Sequence, residues 1–304
     1  MKSKNLLFTI IILLLSQSVI LSQDDEDTGR NKDRHWHNWK RELNILRDSF
    51  GGHPTISFNY GLSEISLDGF PGKFTKPNLL ELKLGYTKQN EMWDNDDILN
   101  YSFKYLVLSN ISTELSEKAN NGLDFDTKMW RFGFGKATGY GYKMGNAAFI
   151  LYHATTLMWS RVELIPGPPI YTASGFAPID RGTIDEFNKT FRFGTSAEGG
   201  IRIEATRNVT FEGSYERSII FKRHLFAKWA GSAILEGIGQ SLLDHFVDEI
   251  FESSPKIAPV VNFVLKNALS YGIYELRQTK MNWPFSSEAP LSYGQFKFGL
   301  TFVF

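Results

Sequence analysis

The sequence predicts an all-β chain: a closed antiparallel transmembrane β-barrel of about eight strands, with an N-terminal amphipathic helix and a helical insertion between the last two strands. Three observations carry this. Eight segments alternate apolar and polar residues with the period of two that a strand imposes. The connections between them are tight on one side and long on the other. A short basic and apolar leader precedes them all.

In the leader, Lys2 and Lys4 precede the apolar run 6–15, and Ser16, Ser18, Ser22 and Gln23 follow. This is the layout of a secretory signal peptide, residues 1–22, cut near Ser22. The run is shorter than the roughly 20 residues that a spanning helix needs. The chain has no cysteine, so neither a disulfide framework nor a thiolate metal site is available. Lys plus Arg equal Asp plus Glu at 33 each, and a neutral chain argues against a nucleic-acid partner. Mildly polar overall hydropathy is compatible with a membrane barrel, because inward and outward residues cancel.

Residues 23–34 are polar and acidic and are expected to be a disordered linker. Trp36, Trp39, Leu43, Leu46 and Phe50 then fall on one face of a helix over 35–52. Gly51 and Gly52 end it, and Pro54 begins the first strand. Such a helix can lie at the membrane interface, anchored by Trp, or pack against the barrel base or a partner.

The strands follow over residues 53–304. Ile56, Phe58, Tyr60 and Leu62 alternate with Ser57, Asn59 and Gly61, and Leu80, Leu82, Leu84 and Tyr86 with Glu81, Lys83, Gly85 and Thr87. Tyr101, Phe103, Tyr105 and Val107 form the expected outward set of the third strand, with Ser102 and Lys104 inward. Trp130, Phe132 and Phe134 oppose Arg131 and Gly133. The fifth strand, 147–164, is open in phase. One phase puts Ile150, Tyr152, Met158 and Val162 outside with His153, Thr155, Arg161 and Glu163 inside, and the reverse phase is nearly as good. Phe191, Phe193, Ala197, Ile201 and Ile203 oppose Arg192, Ser196, Glu198, Arg202 and Glu204. Val209, Phe211, Tyr215, Ile219 and Phe221 oppose Thr210, Glu212, Ser214, Glu216 and Ser218.

Tight connections are expected around 143–146 and 207–208, with longer ones elsewhere; 90–99 is acidic and long for its side. The final strand places Phe296, Phe298, Leu300, Phe302 and Phe304 on one face and Lys297, Gly299 and Thr301 on the other. It resembles the closing strand and assembly signal of bacterial outer-membrane β-barrels, which typically ends in an aromatic residue. The resemblance covers roughly 54–304 without the insert, and it rests on architecture and this one motif. It implies a bacterial outer-membrane location, with outer-membrane lipid and the barrel-assembly machinery as partners.

The inward set is ionic: Glu81, Lys83, Lys104, Arg131, Arg192, Glu198, Arg202, Glu204, Glu212, Glu216 and Lys297. A barrel of about eight strands is just wide enough for side chains to fill. Unpaired buried charge is costly, so these groups are expected to pair across the lumen as an ion-pair core. Tyr86, Tyr101, Trp130, Trp159 and Tyr215 are candidates for the interfacial aromatic girdles.

Residues 223–279 lose alternation. Ala230, Ile234, Ile238, Leu242, Phe246 and Ile250 recur at helical spacing, 253–255 breaks the run, and Val260, Val261, Val264, Leu265, Ala268 and Leu269 line a second helix. Topology places this hairpin outside the cell as a cap, where an extracellular ligand would be its partner; the lumen and the outer leaflet are the other placements.

Neither a phosphate loop, a zinc motif nor a nucleophile elbow is present, and no metal or cofactor is expected. His35 and His37 alone do not make a metal site. The expected function is a non-enzymatic one at the cell surface: structural, adhesive or small-solute-binding. The alternative is a barrel enzyme modifying lipid, since some lipid A acyl-modifying enzymes share this layout. Its candidates are His153 and Glu163, with Ser160 on the opposite face. A narrow channel for small hydrophobic solutes is the third reading.

Overall fold

The computed structural model describes residues 51–304 except 71, 93–94, 117–118, 120–123, 168–170, 173–174 and 177–184. The signal peptide, the linker and the interfacial residues Trp36, Trp39, Leu43, Leu46 and Phe50 lie outside the described residues.

Eight long strands close a ring. They are β1 (His53–Leu67), β3 (Asn78–Met92), β4 (Asn95–Ser112), β5 (Asp124–Met144), β6 (Ala147–Pro166), β9 (Phe191–Glu204), β10 (Val209–Ile220) and β11 (Leu291–Val303). Their order is β5-β4-β3-β1-β11-β10-β9-β6, and β6 pairs back onto β5. The short β2 (Lys73–Phe74) runs parallel to the start of β5, while β7 (Tyr171–Thr172) and β8 (Gly175–Phe176) form a small separate hairpin. Closure leaves no unpaired edge in the ring, which is what lipid requires of a spanning sheet.

The connections separate by length as the sequence predicts. Gly145 turns β5 into β6 with a left-handed φ of 65°, which glycine adopts without a Cβ clash. Residues 205–208 join β9 to β10. The long acidic connection expected over 90–99 is mostly strand: β3 runs to Met92 and β4 starts at Asn95, with a register shift at Glu91 and Met92.

Two strand phases differ from the leading expectation. In β4, Tyr101, Phe103, Tyr105 and Val107 are buried inside, while Leu106 and Leu108 face out at 65% and 49% exposure. Lys104 is therefore exposed on the outer wall and is not a lumen residue. Both faces of β4 are apolar at their centre, so alternation alone cannot choose between them. The lumen chooses: Tyr105 donates to or accepts from Thr156 Oγ1 at 2.9 Å, and Lys83 Nζ lies 4.8 Å from the centre of its ring. In β6 the reverse phase holds. Ile150, Tyr152, Met158, Ser160 and Val162 are buried in the lumen, and Tyr152 donates to Glu198 Oε1 at 2.8 Å. His153, Trp159 and Glu163 lie on the outer side.

The lumen is filled in three layers. Ile65, Leu79, Ile111, Phe125, Met129, Val162, Leu164, Phe187, Ile220 and Leu291 close the end that carries the long connections. An ionic layer lies beneath. Tyr101, Phe103, Tyr105, Ile150 and Tyr152 line the side toward the tight turns. The outer wall is the reverse: Phe58, Leu62, Leu80, Leu84, Trp130, Phe132, Phe211, Phe296 and Phe298 are all exposed. Trp130 and Tyr86 lie on this outer wall, and Trp159 stacks on Phe132 there at 5.7 Å, whereas Tyr101 is inside.

The insertion between β10 and β11 forms helices α1 (Phe226–Ser253) and α2 (Ala258–Thr279). It does not sit over the mouth as the expected cap. It packs along the outer wall, with α2 touching β5, β6, β9 and β10. Trp229 meets Phe193 (5.2 Å between ring centres) near the long-connection end. At the other end Phe251 meets Tyr140 (4.6 Å), and Tyr142 Oη donates to the Lys256 carbonyl at 2.7 Å. A helix the length of α1 spans about 42 Å, enough to run the height of the wall. Among the described residues no helix is long and apolar enough to cross a membrane by itself.

Candidate functional site

Three cations and three carboxylates from five strands form the ionic layer. Alternation turns Glu81 and Lys83 of β3, Arg131 of β5, Glu198 of β9, Glu216 of β10 and Lys297 of β11 to one interior point. Lys297 Nζ lies 3.1 Å from Glu81 Oε1, 2.7 Å from Glu198 Oε2 and 2.6 Å from Glu216 Oε2. Lys83 donates to Glu198 at 2.9 Å. Arg131 reaches Glu216 at 2.9 Å, Glu81 at 3.3 Å, Ser109 Oγ at 2.7 Å and Tyr293 Oη at 2.6 Å. The layer is neutral, and each carboxylate takes at least two charged donors. That is the condition under which buried charge is tolerated.

The oxygens of Glu81, Glu198 and Glu216 come close enough together to suggest a metal site. Lys297 Nζ bonds to all three, so the position a cation would take is held by an ammonium. A second pair, Arg202 with Glu212, lies nearer the tight turns. Thr301 donates to Glu212 at 2.7 Å, and the Arg202 guanidinium is 4.7 Å from the Tyr101 ring centre. Glu204 is half-buried and held by Gln89. Arg192 donates to the Glu186 carbonyl and stands outside the central network. With Lys104 outside, the structure brings together six of the expected lumen residues in one cluster and two more in a separate pair.

The acyl-transfer candidates are not brought together. Ser160 faces the lumen, fully buried. Glu163 is far along β6 and pairs with Lys189 at 3.4 Å. His153 is on the outer face, yet only 7% exposed, because α2 covers it. Its partners on α2 are residues the sequence did not single out. His153 Nδ1 lies 3.2 Å from Asn267 Oδ1, and Nε2 lies 3.4 Å from Ser270 Oγ and from Thr155 Oγ1. Gln240 of α1 donates to Ser270 Oγ at 3.1 Å. Asn267 and Ser270 are three apart and share a helix face, which is the one signal their spacing offers.

Polar contacts also join the two helices: Arg277 of α2 pairs with Glu236 of α1 at 2.9 Å and donates to Ser232 Oγ at 2.8 Å, and Lys266 of α2 pairs with Asp244 of α1 at 2.5 Å. Arg217 lies 3.7 Å from the centre of the Tyr271 ring. A cavity of about 250 Å³ opens here among Thr155, Arg217, Gln240 and Ser270, and a second of about 260 Å³ among Gly199, Asn267 and Ser270. Ile234, Ile238, Leu242, Phe246, Val260 and Val264 are all exposed on the hairpin, with His245 and Glu249 exposed beside them toward the end of α1.

No protein-family model and no curated protein matches the chain. Among solved structures, the fold is similar to Neisserial surface protein A at 10% identity and a TM-score of 0.38, covering 83% of this chain and 97% of that one. It is also similar to Ail, the attachment invasion locus protein of Yersinia pestis, at 9% identity and a TM-score of 0.31, covering 83% and 99%. A third likeness is to the outer membrane protein OprG of Pseudomonas aeruginosa, at 11% identity and a TM-score of 0.28, covering 83% and 96%.

Proposed function

We propose that this chain is a non-conducting outer-membrane β-barrel whose working surface is its lipid-facing wall, at the seam between the helical hairpin and β6, β9 and β10, where it holds lipid. The observation that carries the reading is the inverted polarity of the ring. Lys297 and Arg131 are each 1% exposed inside, while Phe298 and Leu62 are 64% and 57% exposed outside. Such a wall is stable where its solvent is hydrocarbon, and closed strands are one of the few structures that satisfy every backbone group there.

The filled lumen weighs against a channel, hydrophobic or ionic, since an apolar layer and an ion-pair layer lie in series across it. The hairpin weighs against a surface cap, since it packs along the outer wall, where Asn267 and Ser270 meet His153, and exposes apolar residues beside that wall. The test is a detergent-extracted envelope fraction run on an SDS gel, boiled and unboiled, with planar-bilayer recording of the purified protein. A heat-dependent mobility shift without conductance steps is expected. Recovery as a soluble periplasmic protein with no shift would overturn the membrane reading, and steady conductance would overturn the closed lumen.

A further inference from the structure

We propose that Ser270, His153 and Asn267 form a nucleophile, a base and a positioning residue that cleave ester bonds of membrane lipid at the seam. The inference rests on the membrane reading above and adds a chemistry to it. The hydrogen bonds of the cluster run in a consistent direction. Asn267 Nδ2 donates to the Phe263 carbonyl at 2.8 Å, which turns its amide oxygen toward His153. A carbonyl oxygen only accepts, so Nδ1 of His153 carries the proton and Nε2 presents its lone pair. Gln240 Nε2 donates to Ser270 Oγ, so the serine's own proton is free to point at Nε2, 3.4 Å away. This is the relation of nucleophile, base and orienter that acyl transfer needs, recognised by geometry and not by order in the chain. The nucleophile–base distance is long, as is common before substrate binds.

The surroundings fit an ester of a lipid. Ser270 borders both seam cavities. The wall beside them is apolar, so an acyl chain can lie along it while the carbonyl enters. Arg217 borders the same two cavities, and its guanidinium faces the rings of Tyr215, Tyr271 and Tyr274 with no carboxylate partner among the described residues. With the Gln240 amide it supplies donors for a developing oxyanion or for the headgroup phosphate.

The steps balance without a cofactor. Ser270 Oγ bonds to the ester carbonyl carbon and its proton passes to His153 Nε2. The carbon–oxygen bond to the alcohol breaks, and the departing alkoxide takes that proton. Water then adds to the acyl-serine carbonyl and gives a proton to Nε2. The serine oxygen leaves, recovers the proton, and the fatty acid is released. Thr155 is equally near Nε2, but among the described residues no donor orients its hydroxyl as Gln240 orients that of Ser270.

The experiment uses the full chain folded in detergent and in phosphatidylethanolamine–phosphatidylglycerol vesicles. It is treated with a fluorophosphonate probe, and fatty acid release is followed. Folded wild type is expected to carry one adduct on Ser270 and to release fatty acid. Ser270→Ala and His153→Gln should each lower release by about 1,000-fold. Asn267→Ala should lower it while Asn267→Asp, which keeps the acceptor, restores it. Thr155→Val, which removes the other hydroxyl beside Nε2, should lower release far less than Ser270→Ala does. The heat shift of each variant reports its fold. A heat-shifted, non-conducting wild type that takes no probe and releases no fatty acid overturns the triad and leaves the barrel reading standing. Undiminished labelling of Ser270→Ala, or loss confined to Thr155→Val, also overturns it. A protein without heat shift overturns the membrane reading instead.

Discussion

Lys297 Nζ stands 2.6 Å from Glu216 Oε2, and the same ammonium also binds Glu81 and Glu198. One β11 side chain therefore neutralises carboxylates from three other strands. Lys297→Met removes that charge and leaves the carboxylates to Lys83 and Arg131 alone. Breaking a buried pair by deleting one partner costs about 3–5 kcal/mol, because the remaining charge is stranded. The expected outcome is a markedly lower temperature for the mobility shift, with the barrel still assembling. An unchanged midpoint would show that the ammonium contributes no net stability.

The phase of β4 makes a second, independent prediction. The chain has no cysteine, so single-cysteine variants need no background removal. Lys104→Cys carries its thiol on the outer wall, beside exposed Leu106, and Tyr105→Cys carries it into the lumen. A fluorophore on residue 104 should be quenched by brominated lipid. Residue 105 should resist thiol reagents until the barrel is unfolded. The opposite pattern would restore the inward Lys104 that alternation first suggests.

The contrast between these strands shows what the sequence makes legible. Where one face is polar and the other apolar, as in β3 and β11, a period of two fixes the facing, and Glu81, Lys83 and Lys297 are found from spacing alone. Where both faces carry apolar residues, as in β4 and β6, the phase depends on partners across the lumen. Tyr105 turns inward because Lys83 and Thr156 are there to meet its ring and hydroxyl. The seam was illegible for a related reason. An apolar stripe on Ile234, Ile238 and Leu242 reads as a face to be buried in protein, and in this molecule it is the face turned away. His153 was visible as an isolated histidine, whereas Asn267 and Ser270 come from a helix more than one hundred residues later.

Docking of the hairpin depends on close approach at Gly199. A Cβ placed there would lie 2.3 Å from Asn267 Oδ1, far inside contact distance. Gly199→Leu should push α2 off β9 while leaving the ring's backbone pairing intact. Limited proteolysis should then cut within 226–279, and the heat shift should persist. Protection equal to wild type would mean that α2 has room to yield. The same substitution is expected to abolish ester cleavage, because it separates Asn267 and Ser270 from His153.

Arg277 and Glu236 provide the complementary test from the helix side. Their 2.9 Å contact joins α2 to α1 within the seam, with both side chains largely shielded. Arg277→Glu sets two carboxylates against each other in a place where little water can screen them, and it also removes the donor to Ser232. The hairpin should open, read as proteolysis between α1 and α2. Reversing the partner as well, in Glu236→Arg with Arg277→Glu, restores opposite charges across the same gap. Residues in direct contact are where double-mutant coupling is expected, typically about 0.5–3 kcal/mol. The double variant should therefore recover much of the protection that the single one loses. If the two effects simply add, the contact is a bystander to the packing of α1 on α2.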